Sequence, residues 1–137
     1  MPPMTQHTVP SLSKRRLSRL NRRQRKKLRV GEFQELGFWV ELKFKTALDD
    51  AALDAFCDAV YPALAAQGLQ IGGLGGWLPL AETDGFVGTL GRGSVSEAQR
   101  AAAAAWLKAY PAVAQVRVSA WVDAWYPREE ELQMQDA

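Results

Sequence analysis

Cysteine and histidine are almost absent, since Cys57 and His7 are their only representatives among 137 residues. A single cysteine excludes an internal disulfide, so the composition gives no sign of an oxidising compartment and a reducing cytoplasm is expected. A single histidine near the N-terminus excludes a histidine triad or a multi-histidine metal site in the domain. No apolar run approaches the roughly 20 residues that span a bilayer, and the N-terminus lacks the apolar stretch of a secretory signal. The sequence therefore predicts neither membrane insertion nor export.

Acidic residues are missing before Glu32, whereas ten of the 17 Lys and Arg residues lie in the first 31 positions. The rest of the chain holds seven basic residues against all 15 acidic ones. The net charge of +2 is therefore the sum of two unlike parts, a basic arm and an acidic domain. Such an arm is typical of segments that bind polyanions, above all nucleic acid. Its basic residues are Lys14, Arg15, Arg16, Arg19, Arg22, Arg23, Arg25, Lys26, Lys27 and Arg29.

The composition predicts a flexible arm over residues 1–31, a domain over residues 32–126 and an acidic tail over residues 127–137. Residues 1–13 contain three prolines and no repeating apolar face, which indicates disorder. Residues 14–30 are good helix formers, but like charges at i,i+4 oppose an isolated helix, so we expect this part to order on a partner. A solvated tail and an organellar transit peptide are the alternatives for the arm.

The first half of the domain reads as a strand followed by a helix. Apolar residues alternate with polar ones from Phe38 to Phe44, the two-residue period of a strand with one buried face. Thr46 and Asp49 have capping-box spacing ahead of apolar residues that recur at three and four, which predicts a helix ending by Gly68.

The second half predicts a hairpin, a helix and a last strand. Short strands at residues 69–71 and 86–90 flank a glycine-rich stretch and a turn signal at Ala81–Gly85. Ser94 and Glu97 have capping-box spacing ahead of an alanine-rich helix. Alternation then predicts a strand over residues 116–123, and the acidic residues from Pro127 are expected to fray.

Strand, helix, strand, strand, helix, strand is therefore the predicted order. With right-handed crossovers, it favours an α+β fold of the ferredoxin-like split βαββαβ type, a four-stranded antiparallel sheet with both helices on one face. The other sheet face is expected to be either open or covered by a segment. By the alternation it carries Trp39, Glu41, Lys43, Arg117, Ser119, Trp121 and Asp123.

Residues suited to catalysis are scarce in the domain. Cys57 follows Phe56 on the first predicted helix and is typical of a packing residue rather than a thiolate nucleophile. Glu82 and Asp84 are able to act as acid and base or to bind a hard cation, but carboxylates in a turn are usually solvated. The glycines of residues 72–76 lack the Walker spacing and favour a flexible hairpin. We expect no catalytic residue, no metal, no cofactor and no small-molecule substrate, with a small ferredoxin-like hydrolase as the enzyme alternative.

Two features of the sequence point to nucleic acid. The RNA-recognition motif shares the predicted topology and stacks bases on strand aromatics, for which Trp39 is suited, but residues 84–91 resemble its signature only loosely. The arm is the stronger feature, because Arg and Lys neutralise phosphates and counterion release dominates affinity. If about six charges touch phosphate, log affinity falls with log salt at a slope of about −5. Four aromatic residues either add a base or protein contact or complete a small core: Trp77, Trp121, Trp125 and Tyr126.

Residues 22–38, RRQRKKLRVGEFQELGF, resemble the YggL family, small bacterial proteins described as binding the 50S ribosomal subunit. The specific part is EFQELGF, which runs from Glu32 to Phe38. The similarity continues more loosely through the hairpin, the second predicted helix with Trp106 and Leu107, and the ending VDAWY at residues 122–126. Residues 1–21 and an expanded glycine-rich hairpin depart from the shorter members.

The resemblance implies a non-enzymatic factor of the large ribosomal subunit, with a role in its assembly, and it brings no catalytic residues. We expect the ten basic residues of the arm to bind rRNA. We expect Glu32, Phe33, Gln34 and Glu35 to orient the arm or to contact a ribosomal protein. The chain is expected to be a cytoplasmic monomer, and a general RNA or DNA binder without ribosomal specificity is the main alternative.

Overall fold

The computed structural model describes residues 19–29, 34–125 and 133–137. Within these ranges there are three helices: α1 (Arg22–Leu28), α2 (Asp50–Ala65) and α3 (Glu97–Ala109). The strands there are β1 (Leu36–Leu48), β2 (Leu69–Gly72), β3 (Leu80–Thr89), β4 (Val113–Ser119), β5 (Val122–Asp123) and β6 (Met134–Asp136). They form one sheet in the order β2-β3-β1-β4-β6, and β5 pairs with the start of β1. Every pairing is antiparallel, so the chain has a mixed α/β fold on an antiparallel sheet.

Strand β1 lies at the centre of the fold, between β3 and β4. Its predicted alternation is confirmed, because Phe38, Val40 and Leu42 are fully buried while Lys43 is exposed. Helices α2 and α3 pack side chains into the same core as this buried face: Phe56, Val60, Leu64, Ala103 and Leu107. Each large apolar side chain buried in this way contributes about 1.5–3 kcal/mol to the free energy of unfolding. Because β1 buries Phe38, Val40 and Leu42 and pairs on both sides, it is central to the stability of the domain.

Both helix starts lie later than the sequence predicted. The N-cap of α2 is Asp49, whose carboxylate accepts the Ala52 N–H, and Thr46 belongs to β1 because pairing with β3 extends that strand to Leu48. The N-cap of α3 is Ser96, in a capping box with Gln99. Ser94, predicted as that cap, instead accepts the Leu36 N–H through its hydroxyl at 2.9 Å.

The turn predicted at Ala81–Gly85 is wrong, since these residues lie inside β3. There Glu82 is opposite Lys43 and Asp84 is opposite Glu41, so pairing with the central strand overrides local turn propensity. The β2–β3 connection lies earlier, at residues 73–79, where three glycines have positive φ angles that other residues rarely adopt: Gly73, Gly75 and Gly76.

The sheet has more strands than the four predicted. The last predicted strand is divided, because β4 ends at Ser119 and β5 pairs instead with Leu36 and Gly37 at the start of β1. The tail was expected to fray, but its described residues form β6 along β4, where Arg117 is opposite Asp136. An exposed edge of β4 is thereby covered.

The open sheet face is smaller than predicted. Ser119 is fully buried and Asp123 is only 4% exposed. Trp121 packs edge-on against Phe38, with ring centroids 6.0 Å apart, and so belongs to the margin of the core. Trp39 is half-buried and packs on Phe86, with ring centroids 5.4 Å apart. It is therefore less available for base stacking than the sequence suggested.

Candidate nucleic-acid interface

Helix α1 lies within residues 19–29, the described part of the basic arm. Asn21 caps it, its carboxamide oxygen accepting the Gln24 N–H at 2.8 Å while the Gln24 side chain accepts the Asn21 N–H at 2.9 Å. The helix buries none of its residues, and three basic side chains lie in its last turn, where the helix dipole favours positive charge: Arg25, Lys26 and Lys27. A seven-residue helix is marginal by itself in water, so its capping box and its contacts with the domain determine its stability.

Arg29 ends α1 and connects the arm to the domain. Its backbone is left-handed, at φ 55° and ψ 50°, a conformation that costs a residue other than glycine about 1–2 kcal/mol. Its guanidinium lies 3.8 Å from the centroid of the Trp125 ring, a cation–π contact. The strained residue that ends the helix therefore also places a charge on the aromatic surface of the domain.

Trp125 is held by one group that is distant in the sequence, Glu35, and by one neighbouring group, Asp123. Its indole Nε1–H donates to Glu35 Oε1 at 2.7 Å, and the other oxygen of Glu35 accepts the Gly93 N–H at 3.2 Å. The Trp125 backbone N–H donates to Asp123 Oδ1 at 2.8 Å. We call these four residues, Glu35, Gly93, Asp123 and Trp125, the Trp125 junction. Bonds to ionised groups are the stronger class of hydrogen bond, so the junction fixes the ring in place.

The residues around Glu35 add further bonds to the same two segments. Gln34 Nε2 donates to Asp123 Oδ2 at 3.1 Å, and the Ala124 N–H donates to the Glu35 carbonyl at 2.8 Å. The Ser94 hydroxyl donates to the Gln34 carbonyl at 3.3 Å while it accepts the Leu36 N–H. Backbone bonds and side chains together join the start of β1 to the loop before α3 and to the segment after β4.

The arm, the loop before α3 and Trp125 enclose an open cleft with a volume of about 640 Å³. We call it the basic cleft, and its lining residues are Lys26, Lys27, Arg29, Gln34, Glu35, Gly91, Arg92, Gly93 and Trp125. Four of these carry a positive charge. The one carboxylate, Glu35, accepts hydrogen bonds at both oxygens, and its single negative charge is outnumbered by the four positive ones, so the lining is net positive.

Five of the predicted site residues line the basic cleft: Lys26, Lys27, Arg29, Gln34 and Glu35. Four other arm residues lie on α1 or just before it and are absent from the lining: Arg19, Arg22, Arg23 and Arg25. Five lie outside the described residues: Lys14, Arg15, Arg16, Glu32 and Phe33. The sequence did not single out Arg92, although the flanking glycines in GRG were a signal of a basic residue displayed on a loop.

The aromatic candidates divide between core and surface. Trp121 lies at the margin of the core, whereas Trp125 is 45% exposed in the basic cleft. Trp77 is 95% exposed in the β2–β3 connection, and Tyr126 lies outside the described residues. Of the two surface tryptophans, Trp125 is therefore the one that lines a charged cleft.

Other chemistry in the described residues is limited. No group of three or more metal-ligating side chains occurs in residues 19–29, 34–125 and 133–137. Glu82 and Asp84 face Lys43 and Glu41 across the sheet. Cys57 is half-buried on α2, and burial together with the charge and hydrogen bond of Cys57 raises the pKa of Tyr61 above its ordinary value. None of the described helices is long and apolar enough to cross a bilayer.

The fold and the cleft define a small α/β domain that carries a basic binding arm. The chain belongs to the YggL 50S ribosome-binding protein family, whose family model matches residues 22–126, and the resemblance noted in the sequence is thereby confirmed. It is similar to an uncharacterized protein of Haemophilus influenzae, 35% identical over 117 residues that cover 81% of this chain and 96% of the relative. No solved structure matches the chain.

Proposed function

We propose that the chain is a non-enzymatic bacterial protein that binds the 50S ribosomal subunit with its basic arm on rRNA. One observation carries the proposal: the basic cleft groups Lys26, Lys27, Arg29 and Arg92 around Trp125, in a chain whose family is named for binding that subunit. Phosphate groups are the ligands that such a cluster fits best, because Arg and Lys neutralise them and release counterions.

The remaining basic residues of the arm extend this surface in our proposal. The residues just before β1 give the arm its direction, since Gln34 is bonded to Asp123 and Glu35 to Trp125. We assign the same orienting role to Glu32 and Phe33, which lie between α1 and β1 in the sequence. A fixed direction distinguishes a specific arm from a freely moving polycation.

The domain behind the arm carries most of the acidic residues, and repulsion from phosphate favours its pointing away from rRNA.

We infer a ferredoxin-like βαββαβ unit under the additional strands, supported by the order β2-β3-β1-β4 with antiparallel neighbours. A monomer in the bacterial cytoplasm, acting during assembly of the large subunit, fits this proposal.

Co-sedimentation with purified 30S and 50S subunits, at low and near-physiological salt, tests the proposal. The double variant Lys26→Gln and Lys27→Gln removes two exposed charges of the cleft and leaves the domain untouched. We expect the unaltered chain to sediment with 50S subunits only. The double variant should bind more weakly, with the slope of log affinity against log salt reduced by about 1.5.

The matched control removes two exposed lysines of β1, Lys43 and Lys45, by the same substitution. It changes the net charge equally and should sediment as the unaltered chain does. Equal binding of both subunits that vanishes with salt would instead identify a general RNA or DNA binder. Identical behaviour of the two double variants would remove the cleft from the interface.

A further inference from the structure

A second cleft adjoins the basic cleft. It has a volume of about 460 Å³, within the range of about 300–1,000 Å³ that ligand pockets usually have. The two clefts share Glu35, Gly91, Gly93 and Trp125, so a ligand in one is in contact with the margin of the other. The second cleft also includes residues of β2 and β3, on the side of the sheet where β2 is the edge strand.

We call this second cleft the glycine groove, because half of its lining residues are glycine or aromatic: Gly72, Phe86, Gly88, Gly91, Gly93 and Trp125. Aliphatic and polar side chains, among them Glu35 and Gln70, form the rest. A Cβ atom placed on Gly72 or Gly91 would meet no atom within 4 Å, so the missing side chains leave open space. Phe86 is half-buried and Trp125 is 45% exposed. Open backbone beside one half-buried ring and one exposed ring suits a flat ligand group that stacks on an aromatic side chain.

A ligand that occupies both clefts has to combine negative charge with a flat apolar group. Single-stranded nucleic acid has this combination, because its backbone is anionic and every unpaired base has a π-face that stacks on aromatic side chains. An apolar peptide would fill the glycine groove but would leave Lys26, Lys27, Arg29 and Arg92 without a counter-charge.

We propose that the glycine groove holds one unpaired base of an RNA strand whose neighbouring phosphates lie in the basic cleft. This inference rests on the proposed binding of rRNA by the arm and names the form of RNA that is bound. The arm supplies charge attraction, and the groove supplies a preference for an unpaired nucleotide.

Two labelled probes test the groove: a short single-stranded RNA, and an abasic oligonucleotide of the same length and charge. The unaltered chain should bind the RNA about tenfold more tightly, as expected for one base stacked on an aromatic ring. Gly72→Leu should abolish this preference by filling the groove, with the affinity for the abasic probe unchanged. Gly72→Ala should reduce it partly, and Gly91→Leu offers a second way of filling the groove.

The control Ala114→Leu adds the same apolar bulk at an exposed position of β4, away from both clefts, and should keep the preference. Thermal unfolding of each variant establishes that it is folded. Equal affinity of the unaltered chain for both probes, or an unchanged preference in folded Gly72→Leu and Gly91→Leu, would overturn the inference. Failure of the arm proposal is separate, since it appears as 50S binding that does not respond to Lys26→Gln and Lys27→Gln.

Discussion

At the scale of single residues, Glu35 does the most to connect the parts of the molecule. Its carboxylate accepts N–H groups from Gly93 and Trp125, which are 58 and 90 residues further along the chain. The sequence drew attention to Glu35 only as part of EFQELGF. Neither partner was predictable, because local propensity and periodicity carry no information about contacts at such separations.

Replacing Glu35 by glutamine tests whether both carboxylate oxygens are needed. The substitution keeps the size but leaves one oxygen, so either Gly93 or Trp125 then directs its N–H at an NH₂ group. We expect the free energy of unfolding, measured with urea, to fall by about 1 kcal/mol, as for the loss of one hydrogen bond to a charged group at a partly exposed site.

Glu82→Gln is the matched control for this prediction, since Glu82 is an exposed glutamate on β3, and its unfolding free energy should stay within about 0.5 kcal/mol. Trp125→Phe removes the indole donor and keeps an aromatic ring. Because Glu35 and Trp125 share one hydrogen bond, the double variant Glu35→Gln and Trp125→Phe should lose less unfolding free energy than the sum of the two single losses. Additive losses would mean that the bond contributes little.

At the scale of secondary-structure elements, the sequence predicted the strand whose buried side chains alternate along the chain. It missed the strand segments that form only by pairing with a neighbouring strand. β1 was predictable because its alternating residues face the core from Phe38 to Phe44. The first half of β3 was not, since Glu82 and Asp84 have turn propensity and become strand only by pairing with β1. The polar strand β6 has no apolar period, and its pairing with β4 gave no local signal.

Just after α1, Arg29→Gly tests the left-handed residue that ends the helix. Glycine adopts the left-handed conformation freely, which recovers about 1 kcal/mol, whereas loss of the cation–π contact with Trp125 costs about 0.5–1 kcal/mol. We therefore expect the urea-unfolding free energy to change by less than about 0.5 kcal/mol while the affinity for 50S subunits falls and its salt slope decreases by about 1.

Arg29→Lys serves as the control because it keeps the charge and loses the planar guanidinium. It should retain the salt slope of the unaltered chain. If Arg29→Gly lowered the unfolding free energy by well above 1 kcal/mol, the relief of backbone strain would not offset the lost cation–π contact, contrary to the prediction. Unchanged 50S affinity would place Arg29 outside the interface.

At the scale of the whole molecule, the distribution of charge matters more than the net charge of +2. The first 31 residues contain no acidic residue, and all 15 acidic residues lie in the rest of the chain, so the two parts carry charge of opposite sign. If about six arm charges meet phosphate, the logarithm of the 50S binding constant should fall against log salt with a slope of about −5. Fluorescence anisotropy of the labelled full chain across a salt series measures this slope.

Lys43→Gln together with Lys45→Gln should reproduce that slope, because these lysines lie on the sheet rather than on the arm. A slope near zero would show that apolar or uncharged contacts dominate. The division of charge between arm and domain was evident from the sequence. The cleft in which basic residues lie beside Trp125 was not, because Arg92 and Trp125 come together only in the folded chain.

The Trp125 junction also has a consequence for the order of events during synthesis. The arm leaves the translating ribosome before the domain does, whereas the ring that contacts Arg29 and the strand that pairs with Leu36 are made about 90 residues later. Because a domain generally folds as a unit, the contact between Arg29 and Trp125 forms only after nearly the whole domain has been translated. A nascent copy therefore exposes the charged segment before this contact exists, and Arg29 lies against Trp125 only once the domain is complete.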